Sequence, residues 1–157
     1  MITMMYSIKF NHIQDLGDAR YAAAALAEYI GFSIDGDFAI SPQSIQEIIG
    51  WCAGPKVILE INDVPNFEQI ESWLNILPID GIQCHTEYLS KIQKQFADIG
   101  IWMTFEDFTT VKTSPEIAEE ILEKNQLQFS IDCLKETETG KKDYSEWNDF
   151  FEKLEIF

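Results

Sequence analysis

The chain reads as an α/β protein with a parallel sheet, and three features of the sequence lead there. Strand-like and helix-like segments alternate strictly, which argues for crossover connections and parallel strands. The strand-like segments are nearly continuous apolar runs, as expected where helices cover one face of a sheet and a core fills the other. The opening residues 6–33 already hold one complete strand, helix and strand.

Tyr6-Ser7-Ile8-Lys9-Phe10 is the first strand, rich in aromatic and β-branched residues. Asp15 is placed to cap the helix that follows, and Asp18 stands in its first turn beside the positive end of the macrodipole. Ala19, Ala22, Ala23 and Leu26 recur at helical spacing and predict its buried face. Tyr29-Ile30-Gly31-Phe32-Ser33 is the second strand, and chirality makes the unit right-handed and parallel. Ser41-Pro42 is an N-cap with an N1 proline, ahead of a stripe of Ile45, Ile48, Ile49 and Cys52. Gly54-Pro55 stops that helix before the strand 56–61. Phe67, Ile70, Leu74 and Leu77 predict the third helix, and 79–84 the fourth strand. Leu89, Ile92 and Phe96 mark the next helix, which Gly100 closes before the strand 101–105. Ser114-Pro115 repeats the cap signal for a helix facing inward through Ile117, Ala118, Ile121 and Leu122. Residues 127–131 form the sixth predicted strand, and Trp147, Phe150, Phe151 and Leu154 a final amphipathic helix.

With 157 residues, 46% of them hydrophobic, the chain is expected to be one domain spanning 1–157, large enough to bury a substantial core. No apolar run reaches membrane-spanning length, and Met1–Met5 lacks the basic start and cleavage site of a signal peptide. Cys52, Cys84 and Cys133 are odd in number and widely spaced, which suggests reduced thiols in a cytoplasmic protein. The net charge of −16 disfavours nucleic acid and anionic membranes. Arg20 is the only arginine, so guanidinium forks for a phosphorylated or carboxylated ligand are almost absent. No metal-ligand spacing and no dinucleotide or Walker pattern is present, so no cofactor is expected.

Ile8-Lys9-Phe10-Asn11-His12-Ile13, Asp18-Ala19-Arg20-Tyr21-Ala22-Ala23 and Tyr29-Ile30-Gly31-Phe32 together resemble the opening of phosphoribosylanthranilate isomerase. Ile40-Ser41-Pro42, Gln83-Cys84-His85, and Ile131-Asp132 followed by Gly140-Lys141-Lys142-Asp143 and Trp147 extend the resemblance. The family performs an Amadori rearrangement in tryptophan biosynthesis on a (βα)8 barrel. The resemblance therefore implies a truncated TIM-type barrel of about six βα units, cut after the sixth. Its first and last strands would then be open edges. A homodimer is the expected cover, with Phe150, Phe151, Ile156 and Phe157 as its apolar surface.

In such barrels the chemistry sits at the carboxyl ends of the strands. The resemblance makes Asp132 the general acid that protonates the ring oxygen; the plain alternative is a loop-capping aspartate. The family's catalytic cysteine corresponds to Asn11, and the glycine after it to His12. An amide cannot abstract a proton, so Asn11 orients a ligand at most. His12 has the ordinary pKa of a base, with its direction relative to the mouth left open. Gln83 and His85 are binding candidates or loop ties. The family's arginine in the second βα loop is missing, with Asp35 and Asp37 near its place. Its phosphate cradle would lie in units beyond the sixth. The expectation is a degenerate isomerase-like protein with a binding or structural role and a possible small-molecule site at the rim. Two alternatives are a working isomerase completed by a partner subunit, and a different enzyme using His12 and Asp132 on an unphosphorylated ligand.

Overall fold

A computed structural model describes residues 6–133 and 144–157. Met1–Met5 and the Gly140–Asp143 stretch, on which part of the resemblance rests, lie outside the described residues. The elements run β1 (Ser7–Asn11), α1 (Leu16–Ala24), β2 (Tyr29–Ser33), α2 (Pro42–Gly50), β3 (Lys56–Glu60), α3 (Phe67–Ile76), β4 (Gly81–Cys84), α4 (Thr86–Gln95) and β5 (Ile101–Thr104). They continue through β6 (Thr109–Thr110), α5 (Pro115–Lys124), β7 (Gln128–Asp132) and α6 (Ser145–Lys153). The caps form as the sequence predicts: Asp15, Ser41 and Ser114 each accept from a backbone amide three residues on.

All strand pairs are parallel, in the order β5-β4-β3-β2-β1-β7-β6. The sheet must curl strongly. Seven flat strands would hold the edges β5 and β6 about 29 Å apart. Yet only the residues between Thr104 and Thr109 join those two edges, and they reach about 18 Å at most. The result is a partial TIM-type barrel with its seam between β5 and β6.

This corrects the expected position of the gap. β1 is not an edge, because it pairs with both β2 and β7. β7, the sixth predicted strand, lies beside β1 and is covered on its other side by β6. A barrel's closing strand is the one that meets its first, so β7 holds the closing position and the shortfall lies mid-chain. β6 went unrecognised in the sequence because two residues, Thr109 and Thr110, carry no periodicity. No helix separates β5 from β6. Instead residues 105–108 cross over, and Phe108 packs with Ile58, Met103, Tyr29 and Ile101.

The strand period of two assigns the faces. Ile8, Phe10, Ile30, Phe32, Val57, Leu59, Ile82, Phe129 and Ile131 join the helices in the main core. α6 supplies Trp147, Phe150, Phe151 and Leu154, all buried; Phe10 meets Trp147 edge-on at 5.2 Å and stacks on Phe151 at 6.1 Å. Phe150 and Phe151 are therefore core rather than the free apolar surface expected of a dimer interface. Leu26 is also displaced from its predicted face: the helix ends before it, its φ is 60°, and it is 73% exposed, while Ala25 and Ala27 turn inward. Cys52, Cys84 and Cys133 form no disulfide.

Candidate functional site at the carboxyl rim

The alternate residues of the strands face the concave side, and near the carboxyl rim they are polar. Lys9, Asn11, Ser33, Glu60, Gln83 and Ser130 are all buried. Lys9 and Glu60 are fully enclosed and ion-paired, Lys9 to Glu60 Oε2. Gly31 makes room for them: a Cβ there would fall 2.0 Å from Glu60 Oε2 and 2.6 Å from Lys9 Nζ.

Around that pair the side chains form a ring. Lys9 Nζ also donates to Asn11 Oδ1 at 2.6 Å, and Asn11 Nδ2 donates to Asp132 Oδ1 at 2.9 Å. The register places Asn11 directly opposite Asp132. On the other side, Glu60 Oε1 accepts from the Ser33 hydroxyl at 2.9 Å and from the His12 amide at 3.2 Å. His12 Nδ1 lies 3.1 Å from both Glu60 Oε1 and Ser33 Oγ. Because Ser33 gives its proton to Glu60, both groups facing Nδ1 are acceptors, and that nitrogen carries the hydrogen. His12 Nε2 then points toward Asp132 Oδ1, 3.8 Å away, the one loose link of the ring.

His12 reaches this place through a left-handed backbone, φ 59°, which a non-glycine residue adopts only when its surroundings hold it there. Glu60 and Ser33 hold its ring from one side, and Phe38 stacks on it at 4.5 Å. Burial works against the charged imidazole, but the hydrogen bond and charge of Glu60, with the charge of Asp132, outweigh it and raise its pKa above 6.5. Burial likewise works against the Glu60 carboxylate; Lys9 and His12 overcome it and hold Glu60 at about 2.

The remaining candidates fall into two groups. Asp132 keeps 60% of its side chain exposed at the rim. Gln83 faces inward beside Glu60 and donates from Nε2 to the Thr104 carbonyl at 3.3 Å, while its buried Oε1 has no hydrogen-bond partner among the described residues. His85 is instead the N-cap residue of α4; its Nε2 meets the Asn62 carbonyl at 2.8 Å and its ring packs on Phe105. It ties loops together. A cleft of about 390 Å³ opens before His12, lined by Gly36, Asp37, Phe38, Asn62 and Asp63. A second, of about 570 Å³, lies beside Asp132 between the starts of α5 and α6, with Lys112 and Ser114 in its wall.

Glu60, Lys9 and Ser33 were the members that sequence reasoning did not single out as a cluster. A signal existed: Lys9 between Ile8 and Phe10, and Glu60 between Leu59 and Ile61, are opposite charges set into apolar strands. Neither thiol with a resolved shift is an activated base, since burial pushes Cys84 up to about 11 and also raises Cys52. Among the described residues no group of His, Cys, Asp and Glu is arranged to hold a metal ion.

Fold and rim together define a parallel α/β partial barrel with a polar constellation at the carboxyl ends of its strands. No protein-family profile and no curated protein sequence matches the chain. Solved structures do match. Monomers generated from the dimeric phosphoribosylanthranilate isomerase of Thermotoga maritima align over 96% of this chain and 99% of theirs, at 17% identity and a TM-score of 0.69. A phosphoribosylanthranilate isomerase in complex with reduced 1-(o-carboxyphenylamino)-1-deoxyribulose 5-phosphate aligns over 98% and 100%, at 16% identity and 0.70. The enzyme of Thermus thermophilus aligns over 95% and 98%, at 15% identity and 0.70. The chain thus has a divergent phosphoribosylanthranilate isomerase-like fold.

Proposed function

We propose that this protein is an isomerase-like barrel that no longer performs the phosphoribosylanthranilate rearrangement and keeps a binding role at its rim. One observation carries the reading. Asn11, which stands by resemblance at the seat of the catalytic thiolate, has both ends of its amide committed, Oδ1 to Lys9 and Nδ2 to Asp132. A group so held has no proton-accepting form. Loss of a general base costs about 10²–10⁴-fold in rate. Asp132, the proposed acid, is tied to that same amide. Fold likeness by itself licenses no activity.

The test is turnover of phosphoribosylanthranilate by the purified chain, with Asn11→Cys alongside. The expected result is no product above the uncatalysed background for the natural chain. Robust turnover that Asp132→Asn abolishes would overturn the reading. It would favour the second one, a working isomerase of tryptophan biosynthesis completed by a partner subunit. Two further elements belong to the proposal: a second copy of the chain covering the β5–β6 seam, and residence in the cytoplasm, consistent with three cysteines outside any disulfide.

A further inference from the structure

The loop between β2 and α2 is anchored at both ends and held differently at its tip. At its start the Asp35 carboxylate accepts from the Asn62 and Asp63 amides at 2.6 and 3.1 Å, and its carbonyl accepts from Asn62 Nδ2 at 3.1 Å. At its end the Ile40 amide donates to the Ser33 carbonyl at 3.2 Å, and Ser41 caps α2. Between the anchors Gly36 turns left-handed, φ 79°, and the tip 37–39 follows. Phe38 holds that tip to the β1–α1 loop: its ring stacks on His12 at 4.5 Å and its carbonyl accepts from Gln14 Nε2 at 2.9 Å. Gly36, Asp37 and Phe38 line one side of the 390 Å³ cleft before His12, and Asn62 and Asp63 line another. We propose that His12 is a pH-operated latch on this strap: the imidazolium holds residues 37–39 closed on the rim, and the neutral ring lets them swing about Gly36 and open the cleft.

Three neighbours of the His12 ring answer to its charge in the same direction. Glu60 Oε1 lies 3.1 Å from Nδ1, and Asp132 Oδ1 lies 3.8 Å from Nε2, an ion pair once the ring is protonated. The stacked Phe38 ring stands where an aromatic face attracts a cation. Asp37 and Asp63, which share the cleft with His12, add two more carboxylates, and Lys9, bound to the other oxygen of Glu60, opposes them. Loss of the proton removes the attraction to Asp132 and to Phe38 together. It leaves the Nδ1–H bond to Glu60, which fixes the ring but not the strap. The surroundings raise the His12 pKa above 6.5, so the strap is closed on the acid side of that raised value and loosens as pH climbs through it. The anchors do not share this response, because Asp35 is tied to backbone amides and the other histidine, His85, donates Nε2–H to the Asn62 carbonyl in either charge state. This deepens the reading of the rim as a binding site by adding its regulation, and it rests on that reading only for what the cleft admits.

Amide hydrogen exchange followed by NMR between about pH 5 and 9, with each rate divided by the intrinsic rate at that pH, reads the latch directly. The Ala39 and Ile40 amides, bonded to the Gly36 and Ser33 carbonyls, report on the strap. Their protection should fall by about three- to tenfold across the His12 titration, the scale of one partly exposed ion pair with a cation over a ring. The Asn62 and Asp63 amides, which report on the anchor, should keep theirs. His12→Gln, uncharged at every pH, should show the loosened strap throughout. Phe38→Leu, at a half-buried position, should show the same while the His12 ring protons still titrate. Strap protection that ignores pH in the natural chain, that falls as much in His12→Gln, or that falls in step with Asn62 and Asp63 would overturn the latch. A response of natural size in Phe38→Leu would overturn it too, because the ring contact would then not be the coupling. None of these readouts involves phosphoribosylanthranilate, so turnover of that substrate would sink the functional reading and leave the latch to be judged on its own data.

Discussion

At the scale of single residues, two opposed pKa shifts set the pH dependence of the rim ring. Glu60 is held at about 2, below the ordinary 4.5, so its contribution to stability is complete above about 4.5 and is lost as pH falls through about 2. For a fully buried carboxylate that contribution is on the order of 3 kcal/mol. His12 is shifted the other way: its contribution is complete below 6.5 and fades as pH rises through its higher folded value. Stability from this ring is therefore greatest between about pH 4.5 and 6.5. Urea midpoints measured across pH should show a loss on the acid side that Glu60→Gln flattens. An acid limb unchanged by that substitution would place the titrating group elsewhere. The same variant is expected to cost roughly 3–5 kcal/mol near neutrality, because it strands the Lys9 ammonium in the core.

At the scale of elements, β2 serves the site through what it lacks. Gly31 lies on the concave face between Lys9 of β1 and Glu60 of β3, and any side chain there enters the ion pair. Gly31→Ala should destabilise the protein by about 3 kcal/mol, through forced displacement of both charges. Gly50 is the control. It ends α2 with nothing within 4 Å of where a Cβ would stand, so Gly50→Ala should change stability by less than about 1 kcal/mol, in the favourable direction. Chemical denaturation of the two variants separates them, and equal effects would mean that the space beside Gly31 is not what matters. The elements themselves were readable in advance where local rules act alone. Asp15, Ser41 and Ser114 cap as their residue types require, and Trp147, Phe150, Phe151 and Leu154 bury the face their spacing describes. Leu26 was misplaced because α1 ends two residues before it and the chain turns left-handed there, while β6 is too short to carry a pattern.

At the scale of the whole molecule, the seam between β5 and β6 is the unfinished part. Each of those strands has one side of its backbone without a ladder partner among the described residues, the condition that invites edge pairing. Phe108 and its neighbours fill the concave side behind the seam but leave those backbone edges free of strand pairing. A second copy covering the seam predicts a sedimentation mass near twice 18.1 kDa at micromolar concentration. A mass of 18.1 kDa at every concentration would remove the homodimer from the proposal. The interface would then rest on strand edges rather than on Phe150 and Phe151, which the core has already taken.

Of the candidate site, the sequence by itself placed Asn11, His12 and Asp132 near strand ends, because strand ends and the period of two are local properties, but it did not single out Lys9 or Glu60. It also determined the parallel α/β class, since apolar strands alternating with capped amphipathic helices admit little else. Only the tertiary structure decided who meets whom. Whether β7 lies at an edge or beside β1 depends on how the sheet closes, and that closure brings Asn11 to Asp132 across 121 residues, while the β1-β2-β3 order brings Lys9 to Glu60 across 51, over Gly31. Periodicity names the face of a strand but not its neighbour. His12 shows the consequence: its direction follows from a left-handed backbone that Glu60, Ser33 and Phe38 stabilise from three separate places in the chain.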